Sequence, residues 1–150
     1  MSTIRLSRSG DAGLLLSLWL RSVRATHDFL SEADIEALIP AVRDGALAQL
    51  EVWVLTGEDD EPIGFMGLDG AKLEALFVDP SHAGMGVGSR LLAHARMLKG
   101  ALTVDVNEQN PAALAFYRAR GFVVVSRSET DGEGRPFPLL HLAEPTSGPA

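Results

Sequence analysis

The sequence predicts an α/β (α+β) fold in which helices pack on a mixed sheet. Strand-like alternation of apolar and polar residues recurs along the chain and is interrupted by segments with helical spacing. The dipeptide Asp69-Gly70 separates two strand patterns and predicts an antiparallel hairpin, whereas the strand, helix and strand over 73–107 predict a right-handed unit with parallel strands. With 150 residues, 46% of them hydrophobic, the chain is long enough for one core. We therefore predict a single domain over 1–144 and a flexible tail over 145–150.

The first third of the chain predicts a strand followed by two helices. Apolar and polar residues alternate over 4–8, which is typical of a strand, and helical spacing over 11–24 predicts the first helix. Ser31 and Asp34 have the spacing of a capping box, and they predict that a second helix begins there and runs to about residue 41.

The apolar run over 12–20 has two interpretations. Arg5 and Arg8 precede it, as in a secretory signal peptide, but Arg21 follows it directly. Its apolar residues also recur at helical spacing along one face, namely Leu14, Leu15, Leu18 and Val23. We interpret the run as an amphipathic helix of a cytoplasmic protein, and a secreted, processed protein is the alternative.

The rest of the chain alternates between strands and helices. Asp79-Pro80 ends one strand, Gly100 and Gly121 end the two helices, and Pro111 suits a first helical turn. The predicted strands are 52–56, 63–68, 72–78, 103–107, 123–127 and 139–143, and the predicted helices are 89–98 and 111–120.

Charge and composition exclude several classes of protein. The net charge is −7, which argues against nucleic acid as a partner because its phosphates bind clustered Lys and Arg. The chain has no cysteine, which excludes disulfides, thiolate nucleophiles and Cys-type zinc sites and favours a reducing compartment. The four histidines lack metal-ligand spacing, so we predict no metal. No apolar run approaches the ~20 residues of a membrane span, and we expect no membrane partner.

The segment Gly84-Met85-Gly86-Val87-Gly88 lies directly before a predicted helix. Its glycines leave backbone N–H groups uncovered near the positive end of the helix dipole, which suits a pyrophosphate. The segment lacks the Gly-Lys-Ser/Thr ending of a Walker A loop, and its spacing is one residue short of the dinucleotide-binding pattern. Taken alone, it could equally be a tight turn between strand and helix.

Motifs on both sides of this loop extend the pattern. Leu76-Phe77-Val78-Asp79-Pro80 precedes it, and Asn110-x-x-Ala113-x-x-Phe116-Tyr117-x-x-x-Gly121-Phe122 follows. With these motifs, nearly the whole chain resembles a GNAT-type N-acetyltransferase. The resemblance implies a mostly antiparallel mixed sheet with a central, splayed pair of parallel strands and helices on both faces. One departure is Ala83, where the family has Arg or Gln, so one side-chain contact with the cofactor is absent.

The resemblance also implies a cofactor site for acetyl-CoA, the acyl donor. Pantetheine would lie between the splayed strands, held by backbone groups near Phe77 and Val78, and Asn110 would contact the cofactor or cap its helix. The residues implied around the pyrophosphate are Gly84, Met85, Gly86, Val87, Gly88 and Ser89.

The resemblance and elementary acid–base chemistry suggest the catalytic groups. An amine of the lysine type has a pKa of about 10.4 and arrives protonated, so a base is required. Glu74 is our first candidate, because it should share a strand face with Leu76 and Val78; an ordinary cross-strand ion pair is the alternative. In the family the tyrosine matching Tyr117 protonates the leaving thiolate, and the alternative is a core tyrosine beside Phe116.

Acceptor binding is expected near the ends of the first helix and of one strand. His27 should lie between the two N-terminal helices, where it could orient the substrate or act as base, or simply cap a helix. Asn107 ends its strand toward the same cleft. The segments Thr26-His27-Asp28-Phe29-Leu30 and Asn107-Glu108-Gln109-Asn110 are similar to a subgroup of small bacterial members with mostly unassigned substrates.

The resemblance thus implies an N-acetyltransferase that moves an acetyl group from acetyl-CoA to a primary amine by direct attack in a ternary complex. The acceptor would be a small-molecule amine or an amine of a peptide or protein. The alternative is a non-catalytic module of the same fold that binds or senses acyl-CoA. Dimers are frequent in the family, which makes a homodimer an option.

Overall fold

The computed structural model describes residues 2–145. Within them, seven strands form one sheet in the spatial order β1-β2-β3-β4-β5-β7-β6, and neighbours are antiparallel except β4 and β5. The strands are β1 (Thr3–Leu6), β2 (Glu51–Thr56), β3 (Pro62–Asp69), β4 (Lys72–Val78), β5 (Thr103–Asn107), β6 (Val123–Ser128) and β7 (Leu139–Ala143). The predicted mixed, mostly antiparallel sheet is confirmed.

Five α-helices in the described part of the chain connect and cover these strands. They are α1 (Ala12–Thr26), α2 (Glu32–Pro40), α3 (Leu47–Gln49), α4 (Val87–Lys99) and α5 (Pro111–Ala119), and a π-helical segment (Ala41–Ala46) joins α2 to α3. The predicted capping box is present, since Ser31 Oγ accepts from the Asp34 N–H and the Asp34 carboxylate accepts from the Ser31 N–H. None of the helices within residues 2–145 has the length and apolarity needed to cross a bilayer.

Two predicted boundaries shift for identifiable reasons. β1 ends at Leu6, not Arg8, because the Arg8 N–H bonds the Asp11 carboxylate at 2.7 Å instead of pairing with β2. α4 begins at Val87, two residues before the predicted start, because Gly86 takes the left-handed conformation that turns the chain into the helix. The predicted tail lies, apart from Pro145, outside the described residues, so the domain boundary at 144 stays a prediction.

Helices cover both faces of the sheet, as predicted, and each face has its own core. On one face, α4 and α5 pack on the sheet through Leu91, Leu92 and Tyr117. On the other face, α1 packs through Leu15 and Leu18. Burying these apolar side chains is the main term that stabilises the two layers against the sheet.

One prediction about α1 is wrong. Leu14 was expected on the apolar face with Leu15, Leu18 and Val23, but it is 57% exposed. The buried stripe instead continues from Leu15 through Trp19, which is 4% exposed. The helix turns 100° per residue, so a stripe centred on Leu15, Leu18 and Trp19 leaves Leu14 at its edge.

The parallel pair diverges almost as soon as it forms. β4 and β5 pair only at Lys72 with Thr103 and at Leu73 with Val104, although both strands continue beyond these positions. The predicted splay is confirmed, and one edge of β4 after Leu73 has no strand partner among the described residues. Backbone N–H and C=O groups along this edge are therefore available to a ligand.

A β-bulge interrupts β4 at Glu74. Leu73 lies opposite Leu68 and Ala75 lies opposite Gly67, so Glu74 is the extra residue of the bulge. Leu73 packs in the α4 and α5 core, whereas Ala75 packs in the α1 core. Simple alternation along β4 therefore fails, and the expectation that Glu74 shares a face with Leu76 and Val78 does not apply.

Candidate active site

A cleft of about 500 Å³ lies beside the end of β4, where residues of α1 and α5 and the loop before α4 also line it. A smaller cavity of about 160 Å³ occupies the gap between the diverging strands β4 and β5, and His27, Phe77 and Tyr117 line both. The predicted site residues that line the cleft are His27, Phe77, Val78, Gly88, Asn110 and Tyr117. The splay of the two strands thus gathers residues that are far apart in sequence.

The glycine loop borders this cleft at the start of α4. Gly84 and Gly86 have positive φ angles of 76° and 79°. A Cβ atom at either position would meet no atom within 4 Å, so the space in front of the loop is open. Gly86 has no side chain to cap α4, and the first N–H groups of the helix are free of a side-chain cap. The loop has the features of a phosphate site.

The other loop positions differ in what their side chains do. Val87 is buried against β3, where Gly64 leaves room for it, since a Cβ at Gly64 would lie 2.6 Å from Val87 Cγ1. Val87 can therefore offer a ligand only its backbone, whereas the Met85 side chain is exposed. Ser89 Oγ accepts hydrogen bonds from the Arg120 guanidinium at 2.5 and 3.1 Å.

Tyr117 of α5 is buried, and it lines both the cleft and the smaller cavity. The side chain packs edge-on against Phe116 and Phe122, with ring centroids 5.1 and 5.3 Å away. Its hydroxyl makes no hydrogen bond within residues 2–145 and is not sealed from solvent. Burial raises the pKa of Tyr117 above its ordinary value, so the phenol keeps its proton at neutral pH. A protonated tyrosine therefore lies in the wall of the cleft.

Asn110 lies at the start of α5, at the border of the cleft. Its Oδ1 accepts a hydrogen bond from the Ala113 N–H at 3.2 Å, so it caps the helix as the sequence allowed. The residue is only 8% exposed, yet it lines both the cleft and the smaller cavity. The cap leaves the side-chain amide group free to bind a ligand.

His27 follows the last residue of α1 and lines the cleft, the smaller cavity and a third cavity of about 210 Å³. Its ring lies between Phe29 and Phe77, with centroid distances of 5.4 and 6.4 Å. Burial lowers the pKa of His27 below its ordinary value, since the charged form loses hydration there. At neutral pH the imidazole is therefore uncharged and able to accept a proton.

Glu74 and Asn107 both line the third cavity. Glu74 is partly exposed and forms an ion pair with Lys72 at 3.2 Å, and Lys72 also pairs with Asp105 at 3.1 Å. A lysine of the same strand thus neutralises Glu74, while the cross-strand partner of Lys72 is Asp105. Glu74 and His27 thus line the third cavity together.

The family model of the acetyltransferase (GNAT) domain matches residues 48–124, just over half of the chain. This range carries β4, the glycine loop, α4, β5 and α5, which form most of the cleft. The chain belongs to the GNAT acetyltransferase family. The predicted resemblance is confirmed.

Relatives of this GNAT protein extend the match to nearly its whole length. Peptidyl-lysine N-acetyltransferase YjaB of Salmonella typhimurium (strain LT2) is 47% identical over 97% of this chain and 99% of the relative. The solution structure of apo YjaB from Escherichia coli superposes with a TM-score of 0.88 at 46% identity, covering 95% of this chain and 97% of that one. The chain is therefore an enzyme that transfers an acetyl group from acetyl-CoA to an amine, and not a module that only binds acyl-CoA.

A more distant GNAT structure shares the fold. PaiA N-acetyltransferase from Thermoplasma acidophilum, solved in complex with coenzyme A, has a TM-score of 0.78 at 21% identity and covers 96% of this chain and 98% of that one.

Arg120 is a residue of this site that the sequence analysis does not include among the candidates. Its guanidinium stacks on the Phe116 ring at 3.7 Å from the ring centroid and reaches Ser89 in the first turn of α4. No carboxylate within residues 2–145 forms an ion pair with it. Arg120 thus brings positive charge to the loop, where Ala83 lacks the long polar side chain of other GNAT proteins. An arginine three residues after Tyr117 was the signal that could have found it.

Proposed function

We propose that this GNAT enzyme acetylates a lysine side chain of a peptide or protein. The observation that carries the proposal is the third cavity, which adjoins the gap on the side of α1 and α2. Its wall is mostly apolar, formed by Val23, Leu38 and Val42 among others, and its polar residues are His27, Glu74 and Asn107. A lysine combines an apolar stem with a cationic head, so it matches both parts. The name of the YjaB relatives supports the same acceptor class.

Carboxylates at this end of the gap favour a cationic acceptor. Glu74 lines the second and third cavities, and Asp105 lines the second. Lys72 pairs with both carboxylates, and Asp105 also contacts His141 Nδ1 at 2.6 Å. Glu74 also lines the third cavity, where a negative charge attracts an incoming lysine.

His27 is the base that the geometry favours for deprotonating the lysine. The attacking amine must be neutral, whereas lysine is protonated at pH 7 because its pKa is about 10.4. The uncharged His27 imidazole lines all three cavities, so it is accessible from the gap and from the acceptor side. Glu74 forms an ion pair with Lys72, which makes it a less suitable base. We assign it the role of binding the ammonium group of the substrate lysine.

The donor would lie along the unpaired edge of β4. Backbone groups at Phe77 and Val78 hold pantetheine and polarise the thioester carbonyl, since this part of β4 has no partner from β5. The backbone of residues 84–89 holds the pyrophosphate, and Asn110 contacts the cofactor from α5. The amine then attacks the thioester carbon directly, and Tyr117 gives a proton to the departing thiolate.

Replacing Tyr117 with phenylalanine is expected to lower kcat about tenfold. A thiol has a pKa of about 8.5, so the thiolate is already a fair leaving group and needs only modest help from an acid. The melting temperature should stay within error of the wild type, because the hydroxyl has no hydrogen-bond partner in the described part of the chain. An unchanged kcat would contradict the assignment of Tyr117 as acid.

Matched peptides test the acceptor class. Thiol release from acetyl-CoA is measured with an Nα-acetylated peptide that carries one lysine, with the same peptide carrying arginine, and with a lysine-free peptide that has a free α-amine. We expect turnover with the lysine peptide alone. Turnover with only the free α-amine would replace the lysine proposal with N-terminal acetylation, and turnover with small polyamines alone would exclude a peptide acceptor.

We also propose a cytoplasmic location, which the absence of cysteine supports because it fits a reducing compartment. A homodimer is a further proposal, supported by the family resemblance alone.

A further inference from the structure

Thr26, the last residue of α1, makes two hydrogen bonds that together determine the protonation of the His27 ring. Its Oγ1 lies 2.8 Å from the carbonyl oxygen of Ser22 and 2.8 Å from Nδ1 of His27. A carbonyl oxygen can only accept, so the single hydroxyl proton points to Ser22. Oγ1 must then accept from His27, which requires a proton on Nδ1. If Oγ1 instead donated its proton to Nδ1, a lone pair of Oγ1 would face a lone pair of the Ser22 carbonyl oxygen at 2.8 Å.

This arrangement leaves Nε2 of the neutral His27 ring without a proton. Nε2 makes no hydrogen bond within residues 2–145, and it is accessible to solvent. Of the two ring nitrogens, it is therefore the one that can accept a proton from a molecule in the adjoining cavities. The rings of Phe29 and Phe77 pack near the imidazole, and the hydrogen bond to Thr26 decides which of its nitrogens is protonated.

We infer that Thr26 is a positioning residue, which holds His27 in the Nδ1–H form and so presents the Nε2 lone pair to the acceptor amine. The inference rests on the proposed function, in which His27 is the base. In that step an N–H bond of the ammonium breaks and an Nε2–H bond forms. The lone pair of the amine then forms the C–N bond and the C–S bond breaks. Tyr117 gives its proton to the thiolate, and the second proton, which the new amide nitrogen must lose, restores the Tyr117 hydroxyl.

Other titratable groups near His27 do not replace this hydrogen bond. Asp28 is its neighbour in sequence, and Glu74, Asp105 and Tyr117 line cavities that His27 also lines. None of them bonds Nδ1 in the described part of the chain. Without the Thr26 hydroxyl, the ring is free to carry its proton on Nε2, which would block proton transfer from the amine.

The test compares Thr26→Val, which keeps the shape of the side chain, with Thr26→Ser, which keeps the hydroxyl. We expect T26V to lower kcat about tenfold with little change in the KM for acetyl-CoA, and T26S to restore the wild-type rate. The ¹⁵N chemical shifts of the His27 ring, recorded without substrate, report the tautomer directly. They should show Nδ1–H in the wild type and in T26S, and a shift toward Nε2–H in T26V.

Three outcomes would overturn the inference: an Nε2–H ring in the wild type, wild-type ring shifts in T26V, or a T26V enzyme with changed ring shifts but full kcat. The variant His27→Gln tests separately whether His27 is the base. If H27Q keeps full activity, the proposed base is wrong even where the ring shifts behave as expected. If H27Q is slow and T26V has the wild-type shifts, Thr26 is wrong and the base assignment remains.

Discussion

Replacing Gly86 with valine is expected to weaken acetyl-CoA binding at least about a hundredfold. Gly86 has a φ angle of 79°, and a residue with a Cβ atom resists this left-handed conformation by roughly 1–2 kcal/mol. The new side chain would also enter the open space in front of the loop, where the pyrophosphate is proposed to lie. Losing two hydrogen bonds to a charged group, each worth about 1.5–3 kcal/mol, accounts for an effect of this size.

Gly70→Val is the matched control for this variant. Gly70 also has a positive φ, 57°, and open space around its missing Cβ, but it lies in the β3–β4 turn outside the lining of the cleft. Both variants should lower the melting temperature by a similar amount, whereas only G86V should raise the Kd for acetyl-CoA in calorimetric titration. Equal Kd values for G86V and the wild type would show that the loop does not hold the pyrophosphate.

Replacing His27 with glutamine is expected to lower kcat about a hundredfold, a typical effect for losing a general base. Because burial lowers the pKa of His27, the free base predominates at neutral pH and is lost as the pH falls below the ordinary histidine range. The wild-type rate should therefore be nearly constant just above neutrality and decline on the acid side. In H27Q this acidic decline should be absent.

Two further variants separate His27 from its neighbours. Glu74→Gln should mainly raise the KM for the lysine peptide, since it removes the proposed ammonium anchor and not the base. His94→Gln changes a histidine that contacts Trp53 from α4, away from the three cavities, and should leave kcat unchanged. If E74Q instead loses kcat and the acidic decline while H27Q keeps both, the base is Glu74.

Most of the donor side of the site could be predicted from the sequence. Gly84 and Gly86 mark a turn that needs positive φ, and Asn110 with Tyr117 keeps the spacing that places both on one helix beside the gap. The hairpin at Asp69-Gly70 was equally predictable, because its turn geometry depends on two adjacent residues. These features follow from short-range rules, so a local pattern is enough to find them.

The acceptor side could not be predicted in the same way. The bulge at Glu74 depends on how β3 and β4 align over several residues, and nothing in the local alternation of β4 marks it. The third cavity gathers side chains from α1, α2, the π-helical segment and the sheet. On the donor side, Arg120 could not be predicted for the same reason, because it reaches Ser89 across 31 positions of sequence. Such contacts exist only after the helices have packed on the sheet.

The sequence by itself determined the family, the order of the elements and the position of the glycine loop, because each depends on residues close together in the chain. The tertiary structure decided which side chains surround the cavity beside the gap between β4 and β5. Packing α1 on the sheet brings His27 against Phe77 and into the wall of the cavity that Glu74 also lines. Thr26, at the end of α1, determines which nitrogen of the His27 ring carries the proton. Side chains that converge from distant segments acquire their partners, and therefore their charge states, only through the fold.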